Sequence, residues 1–342
     1  MIQDRKYNPY TEEDWRELAN LARQQSTLSG FYNDNYRLVH EREALLFRFP
    51  KKDEKLMDPR PFYEGDVYKL LRGANLSVPN LIHEAEDRSF QVYEFIDGSL
   101  VDEIYPPGQK LPEKHGKQMA EFYANLAKLD IDISPYLSTD WPKQGLSLTF
   151  FEKLLETAWL IYKNHHETHG NIYQFLQIPD DPFSPFLEQA GELHTRPWRL
   201  MHADIHRANI IEKEDGEIYI IDWELALYGD LLYCIAAHLH RGRFFPDEKE
   251  QIATAIYQQL PADFQKNFMK DLSFYLDYEA LKSVLTDTVR FPDLLKRGKA
   301  SNTMMHELSV YYSDNLNRIS GLLNTRKTKP EQALLWFEEW SI

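Results

Sequence analysis

The sequence is short of cysteine, short of basic charge and without long apolar runs, and each shortage narrows what the chain can be. Cys234 is the single cysteine in 342 residues, which excludes an intrachain disulfide and any multi-cysteine zinc site. Lys and Arg number 39 against 54 Asp and Glu, for a formal net charge of -15. Duplex nucleic acid is held largely by lysines and arginines that neutralise phosphates, so this balance argues against a nucleic-acid partner. A small cationic partner is compatible with it. No stretch approaches the roughly 18 uncharged apolar residues of a bilayer span. Residues Met1 to Asp14 carry no apolar signal-peptide core. The expectation is a soluble, cytoplasmic protein without a membrane partner. Hydrophobic residues make up 43%, enough for a real core.

The length suggests one large domain or two lobes, and no repeat or low-complexity tract divides the chain. Thr11, with Asp14 three residues on, predicts the start of a helix carrying Trp15, Leu18, Leu21 and Ala22 on one face. Ser29-Gly30 reads as its stop. Runs at Tyr36 to Val39 and Ala44 to Phe49, joined by His40 to Glu43, predict a hairpin. A helix over about Pro61 to Arg72 and a strand pair near Leu81 to His83 and Phe90 to Ile96 follow. After Gly98 the pattern turns mostly helical, with Pro112 opening one helix. An embedded hairpin over Arg199 to Ile221 turns at Glu214-Asp215-Gly216. The fold class expected is therefore α+β. A sheet-rich half over residues 1–97 precedes a larger helical half over residues 98–342, with a cleft between the lobes as a place for a ligand.

The chemistry concentrates in His202-Ala203-Asp204-Ile205-His206-Arg207-Ala208-Asn209 and, a dozen residues on, Ile220-Ile221-Asp222-Trp223-Glu224. Phosphoryl transfer needs a carboxylate to orient an acceptor hydroxyl and take its proton, and Asp204 suits that task. It also needs hard oxygen ligands for Mg²⁺ on the nucleotide phosphates, and Asn209 and Asp222 are of that type. Local readings compete. Asp and Asn favour turns through their own hydrogen bonds. His202, Asp204 and His206 alternate and could instead ligate a hydrolytic metal, although Asn209 and Asp222 would then go unexplained.

The H-x-D-x-x-x-x-N segment followed by I-D-W-E resembles the catalytic core of the aminoglycoside phosphotransferase and choline kinase-like family, relatives of the protein kinases. Leu225 to Leu239 is similar to that family's continuation. The resemblance implies a two-lobed, protein-kinase-like fold and a Mg-dependent kinase using ATP or GTP on a small-molecule hydroxyl; whether the chain acts as a monomer or homodimer the sequence leaves open. Asp204 would then be the catalytic base, with Asn209 and Asp222 holding metal and His202 ordering the loop. Arg48 would occupy the place of a basic residue on the phosphates, paired with Glu64. Glu94 and Ile96 would meet the base through their backbone, and Ser29 and Gly30 would belong to the phosphate-covering turn. Glu224 is the acidic side chain placed near the acceptor or a second metal.

Three departures stand out. The turn has one glycine, the basic residue is an arginine fork instead of a lysine point charge, and Cys234 replaces a usual aspartate. They keep open an alternative in which the chain binds nucleotide as a pseudokinase or scaffold without turnover. Acidic residues Asp271, Asp277, Glu279, Asp287 and Asp293 are read as a solvated face, and Trp336 to Trp340 as core.

Overall fold

In the computed structural model of the chain, residues 10–28, 33–51, 61–142 and 145–341 are described. Ser29 and Gly30 lie outside them. The first helix, α1 (Glu12–Ala22), starts where its sequence says it should. The Thr11 hydroxyl accepts from the Asp14 N–H at 3.2 Å, and the Asp14 carboxylate accepts from the Thr11 N–H at 2.6 Å. This reciprocal capping box satisfies two amides that the helix itself cannot. Trp15, Leu18, Ala19 and Ala22 then bury one face.

That face packs on an antiparallel sheet of β1 (Thr27–Leu28), β2 (Asn33–His40), β3 (Glu43–Pro50), β4 (Leu81–Glu84) and β5 (Gln91–Glu94), ordered β1-β2-β3-β5-β4. Glu41 and Arg42 turn the β2–β3 hairpin with φ of 49° and 71°, the left-handed pair that a tight hairpin demands, without the usual glycine. Side chains alternate faces along a strand. Leu45, Phe47 and Phe49 of β3 join Trp15 and Leu18 in the core. Arg48 is therefore turned to the opposite face, toward the helix α2 (Glu64–Leu71).

The chain continues through β6 (Ser99–Leu100), α3 (Val101–Ile104), α4 (Glu113–Lys128), α5 (Ser147–Phe175), α6 (Ser184–Ala190), β7 (Arg199–Met201), β8 (Ile210–Glu212), β9 (Ile218–Ile220) and β10 (Leu227–Gly229). Helices α7 (Leu231–Arg241), α8 (Pro246–Gln259), α9 (Ala262–Gln265), α10 (Phe268–Lys296), α11 (Asn302–Leu323) and α12 (Pro330–Trp340) complete it. The architecture is α+β, as expected. Among the described residues, no helix is long and apolar enough to cross a membrane.

Two compact units emerge. One comprises Met1–Asp140, Arg199–Tyr228 and Gly242–Leu260; the other comprises Trp141–Trp198, Gly229–Arg241 and Pro261–Ile342. The Asp97–Gly98 boundary read from the sequence falls inside the first unit. Gly98 runs against β8 so closely that a Cβ there would lie 2.5 Å from the Glu212 carbonyl oxygen. The glycine marks a close backbone approach, and β6 pairs there with β8, Ser99 opposite Glu212. A pattern break in sequence is thus a contact in space.

The second unit is organised around α10, which packs on α5, α7, α11 and α12. Arg196, with a fully buried side chain, holds it together: its guanidinium pairs with Asp271 at 2.7 Å and Asp230 at 3.3 Å. Asp230 also accepts from Ser147 at 2.9 Å and Tyr275 at 3.1 Å. Removing one partner of a buried ion pair strands the others, at a cost of about 3–5 kcal/mol. Arg196→Met is expected to lower the urea midpoint accordingly, and an unchanged midpoint would show that the network contributes little.

The acidic residues of α10 are not a solvated face. Asp271, Glu279 and Asp287 are buried, at 1%, 1% and 2% exposure. Glu279 pairs with Lys282 at 2.5 Å and Asp287 with Arg290 at 2.7 Å. Nearer the surface, Asp277 pairs with Arg318 at 2.6 Å and Asp293 with Arg297 at 2.8 Å. Composition alone could not distinguish charges facing water from charges facing partners. Trp336 does lie in the interior, its ring 5.2 Å from that of Phe175.

Candidate active site

β7 ends at Met201, and the chain then turns sharply: Ala203 adopts φ of 61°, the left-handed region. This brings the Asp204 N–H back to His202 Nδ1 at 3.2 Å. The other ring nitrogen of His202, Nε2, meets the Ile221 carbonyl at 2.8 Å, at the end of β9. A carbonyl only accepts and an amide only donates, so Nε2 carries the proton and Nδ1 the lone pair. Burial pushes the His202 pKa down despite the Ile221 carbonyl, which keeps the ring neutral. Both nitrogens are spent on backbone, so His202 has no lone pair for the hydrolytic metal considered above.

Asn209 closes the loop. Its Nδ2 donates to the Asp204 carbonyl at 3.0 Å, and its own carbonyl accepts from the Ile221 N–H at 3.0 Å. The β8–β9 pairing sets this register, Ile210 opposite Ile220. Asp222 follows directly, at φ of 67°, a conformation that Asp tolerates better than most residues. Its side chain is 32% exposed and that of Asp204 is 19% exposed. Backbone hydrogen bonds thus bring the Asp204, Asn209 and Asp222 segments side by side. Arg207, missed in the sequence, pins the same loop. Its guanidinium donates to the carbonyls of Tyr105, Gln109 and Gly242 at 2.6, 2.9 and 2.9 Å.

Arg48 joins the sheet to this segment. Its NH1 donates to Glu64 Oε1 and its NH2 to Asp222 Oδ1, both at 2.7 Å, with Glu224 Oε2 at 3.5 Å from the same NH2. Burial acts to lower the guanidinium pKa, but Glu64 and then Asp222 hold it well above its usual range. Among the described residues, the Arg48 Nε–H is buried without a partner. Tyr68, one helical turn after Glu64, packs its ring 4.6 Å from that of Tyr93.

This geometry agrees with the sequence comparison. The profile of the phosphotransferase enzyme family, APH, matches residues 24–266. The chain belongs to that family. No curated protein sequence matches it. The fold is similar to that of an ethanolamine kinase from Plasmodium vivax, with a TM-score of 0.59 and 14% identity over 90% of this chain and 84% of that one. A gentamicin complex of aminoglycoside phosphotransferase APH(2'')-IIa gives a TM-score of 0.57 with 14% identity, covering 95% of this chain and 98% of that one. The ADP-bound aminoglycoside phosphotransferase APH(2'')-Ib gives 0.55 with 16% identity, covering 91% and 99%. At such identities these likenesses concern the fold.

Within this phosphotransferase the remaining sequence-derived positions separate. The Glu94 N–H bonds the Asn80 carbonyl at 2.9 Å, and the Phe95 N–H bonds the Ala44 carbonyl at 3.2 Å. The Glu94 carboxylate is engaged by Asn80 Nδ2 at 2.7 Å. Glu224 is drawn to the interior: it is 7% exposed and accepts from Asn33 Nδ2 at 3.0 Å. The carboxylates of Glu64, Asp222 and Glu224 lie within 4.8 Å of one another, a spacing that could hold a metal ion. The Arg48 guanidinium is the cation that all three contact. Asn33 was read from the sequence only as part of the phosphate-covering turn that follows Ser29 and Gly30, and Tyr68 was not legible as a site residue. For Tyr68 the available signal was its i, i+4 spacing from Glu64 on a short helix.

Proposed function

We propose that this phosphotransferase moves the γ-phosphoryl of ATP or GTP onto a hydroxyl of a small acceptor of the amino-alcohol or aminoglycoside class. The observation that carries the reading is the network that ties Asp204, Asn209 and Asp222 to one another through His202 and Ile221. The names of the structural neighbours, an ethanolamine kinase and aminoglycoside phosphotransferases, support the acceptor class.

In this reading the Asp204 carboxylate orients the acceptor hydroxyl and takes its proton. His202 stays neutral and holds the loop, so it neither competes for that proton nor repels a cationic acceptor. The Asn209 amide oxygen and the Asp222 carboxylate are hard donors of the kind Mg²⁺ takes. Bound there, the ion would supply positive charge to the nucleotide phosphates. The unpartnered Arg48 Nε–H is a buried donor suited to a phosphate oxygen. The Glu94 carbonyl and Ile96 N–H would meet the base, with Ser29 and Gly30 covering the phosphates. Residues up to 97 would serve the nucleotide and later ones the acceptor. Catalysis is then mainly positioning and electrostatics.

The test is nucleotide consumption with Mg²⁺ over a panel of amino alcohols, aminoglycosides, macrolides and sugars. Acceptor-dependent release of nucleoside diphosphate is the expected result. A second reading, a pseudokinase or scaffold, draws on the Arg48–Asp222 contact, which engages a carboxylate needed for metal. Binding of Mg-nucleotide without acceptor-dependent consumption across the panel would favour it and defeat the kinase.

A further inference from the structure

We infer that Glu224 is a positioning residue that takes over the Arg48 guanidinium when Asp222 turns to a metal ion. The inference rests on the reading of Asp222 as a metal ligand given above.

One nitrogen of Arg48 is aimed between two carboxylates. NH2 is 2.7 Å from Asp222 Oδ1 and 3.5 Å from Glu224 Oε2. It is bonded to the first and within a small rotation of the second. Arg48 is 6% exposed, so water offers little replacement for a lost partner. A buried donor left unpaired costs about 1–3 kcal/mol, and more when it is charged. Without a substitute acceptor, that penalty would be set against every metal ion that draws Asp222 away. Glu224 removes it.

The geometry around Glu224 suits a fixed receiver more than a mobile ligand. Its Oε2, the atom nearest Arg48, also accepts from Asn33 at 3.0 Å, and Glu224 is 7% exposed. Between Asp222 and Glu224 lies Trp223, fully buried, with its Nε1 donating to the Ile220 carbonyl at 3.3 Å. Its ring lies 4.9 Å from the His202 ring. This anchor keeps both carboxylates on the Arg48 side of the short turn Trp223–Leu225. Charge points the same way. Three carboxylates converge on one guanidinium. Drawing Asp222 to a divalent ion would lessen their mutual repulsion, while Glu64 and Glu224 retain Arg48 in place.

The experiment measures Mn²⁺ binding to the full chain in saturating ADP, by the loss of the free-ion electron paramagnetic resonance signal. Glu224→Gln keeps an oxygen for Asn33 but loses the charge that receives Arg48. It is expected to weaken Mn²⁺ on the order of tenfold, the lower end of what partners of metal ligands contribute. In an Arg48→Met background the same substitution is expected to change nothing, because no guanidinium remains to hand over. An equal loss in that background would make Glu224 a direct ligand and overturn the inference, as would no loss in the single variant. If Arg48→Met does not fold, Arg48→Lys serves: its single ammonium cannot bond Glu64 and Asp222 as a fork, so the Glu224→Gln effect should shrink. Asp222→Asn keeps the two readings apart. Unchanged Mn²⁺ affinity there defeats the metal reading itself, whereas a loss there with none in Glu224→Gln defeats only the handover.

Discussion

Asp204→Ala is expected to lower turnover by about two to four orders of magnitude, the range over which a positioned general base counts. Binding of Mg-nucleotide should survive. The reason lies in which atoms of Asp204 the loop uses. Asn209 bonds its carbonyl and His202 bonds its N–H, so the network is made by backbone that alanine keeps. The carboxylate is the part that would do the chemistry, and its Oδ2 lies 3.7 Å from His206 Nε2. Removing it takes away the acceptor's proton sink while the backbone bonds to His202 and Asn209 stay. Steady-state kinetics at saturating nucleotide and acceptor, paired with calorimetric nucleotide binding, checks both halves. Turnover near that of the parent would defeat the assignment of Asp204 as base.

The second large effect is expected at Asp222. Asparagine is the substitution to use, because the residue sits at φ of 67° and alanine would add backbone strain to the loss of charge. Asp222→Asn should cost on the order of 10²–10³ in turnover, the scale of a single charge-stabilising group in a protected site. Its signature is a nucleotide affinity that no longer responds to Mg²⁺. The fold should tolerate it, since Arg48 keeps Glu64 at 2.7 Å and Asn still offers NH2 an oxygen. A variant whose nucleotide affinity still rises with Mg²⁺ as the parent's does would remove Asp222 from the metal site.

Some of this was legible in the order of residues and some was not, for identifiable reasons. The capping box at Thr11, the alternation that buries Phe47 and Phe49 and the Asp204 to Asn209 spacing are short-range signals. Helical and extended periodicities translate such spacings directly into faces. Glu224 shows the opposite case. As a carboxylate two residues past a metal-ligand candidate it was placed near the acceptor or a second metal; its bond to Asn33, 191 residues away in the chain, is a contact the sequence did not announce. Nothing local to either residue signals that pairing. At Gly98 the sequence is ambiguous in the same way, since a glycine that ends a pattern and a glycine that admits a neighbouring strand look identical in sequence. The acids of α10 were misread because helix spacing reports which residues share a face, not what that face meets.

By itself the sequence determined the α+β class, the family, and the short motif proposed to carry the reactive side chains. These follow from local periodicity and from residue types at fixed spacings, which the backbone converts into geometry within a few residues. Only the tertiary structure decided that a single buried guanidinium would be shared by Glu64, Asp222 and Glu224, and that His202 would be held neutral between two backbone groups. Charges far apart along the chain meet only once the sheet, the α2 helix and the β8–β9 hairpin are packed. Their energies depend on the burial that this packing creates.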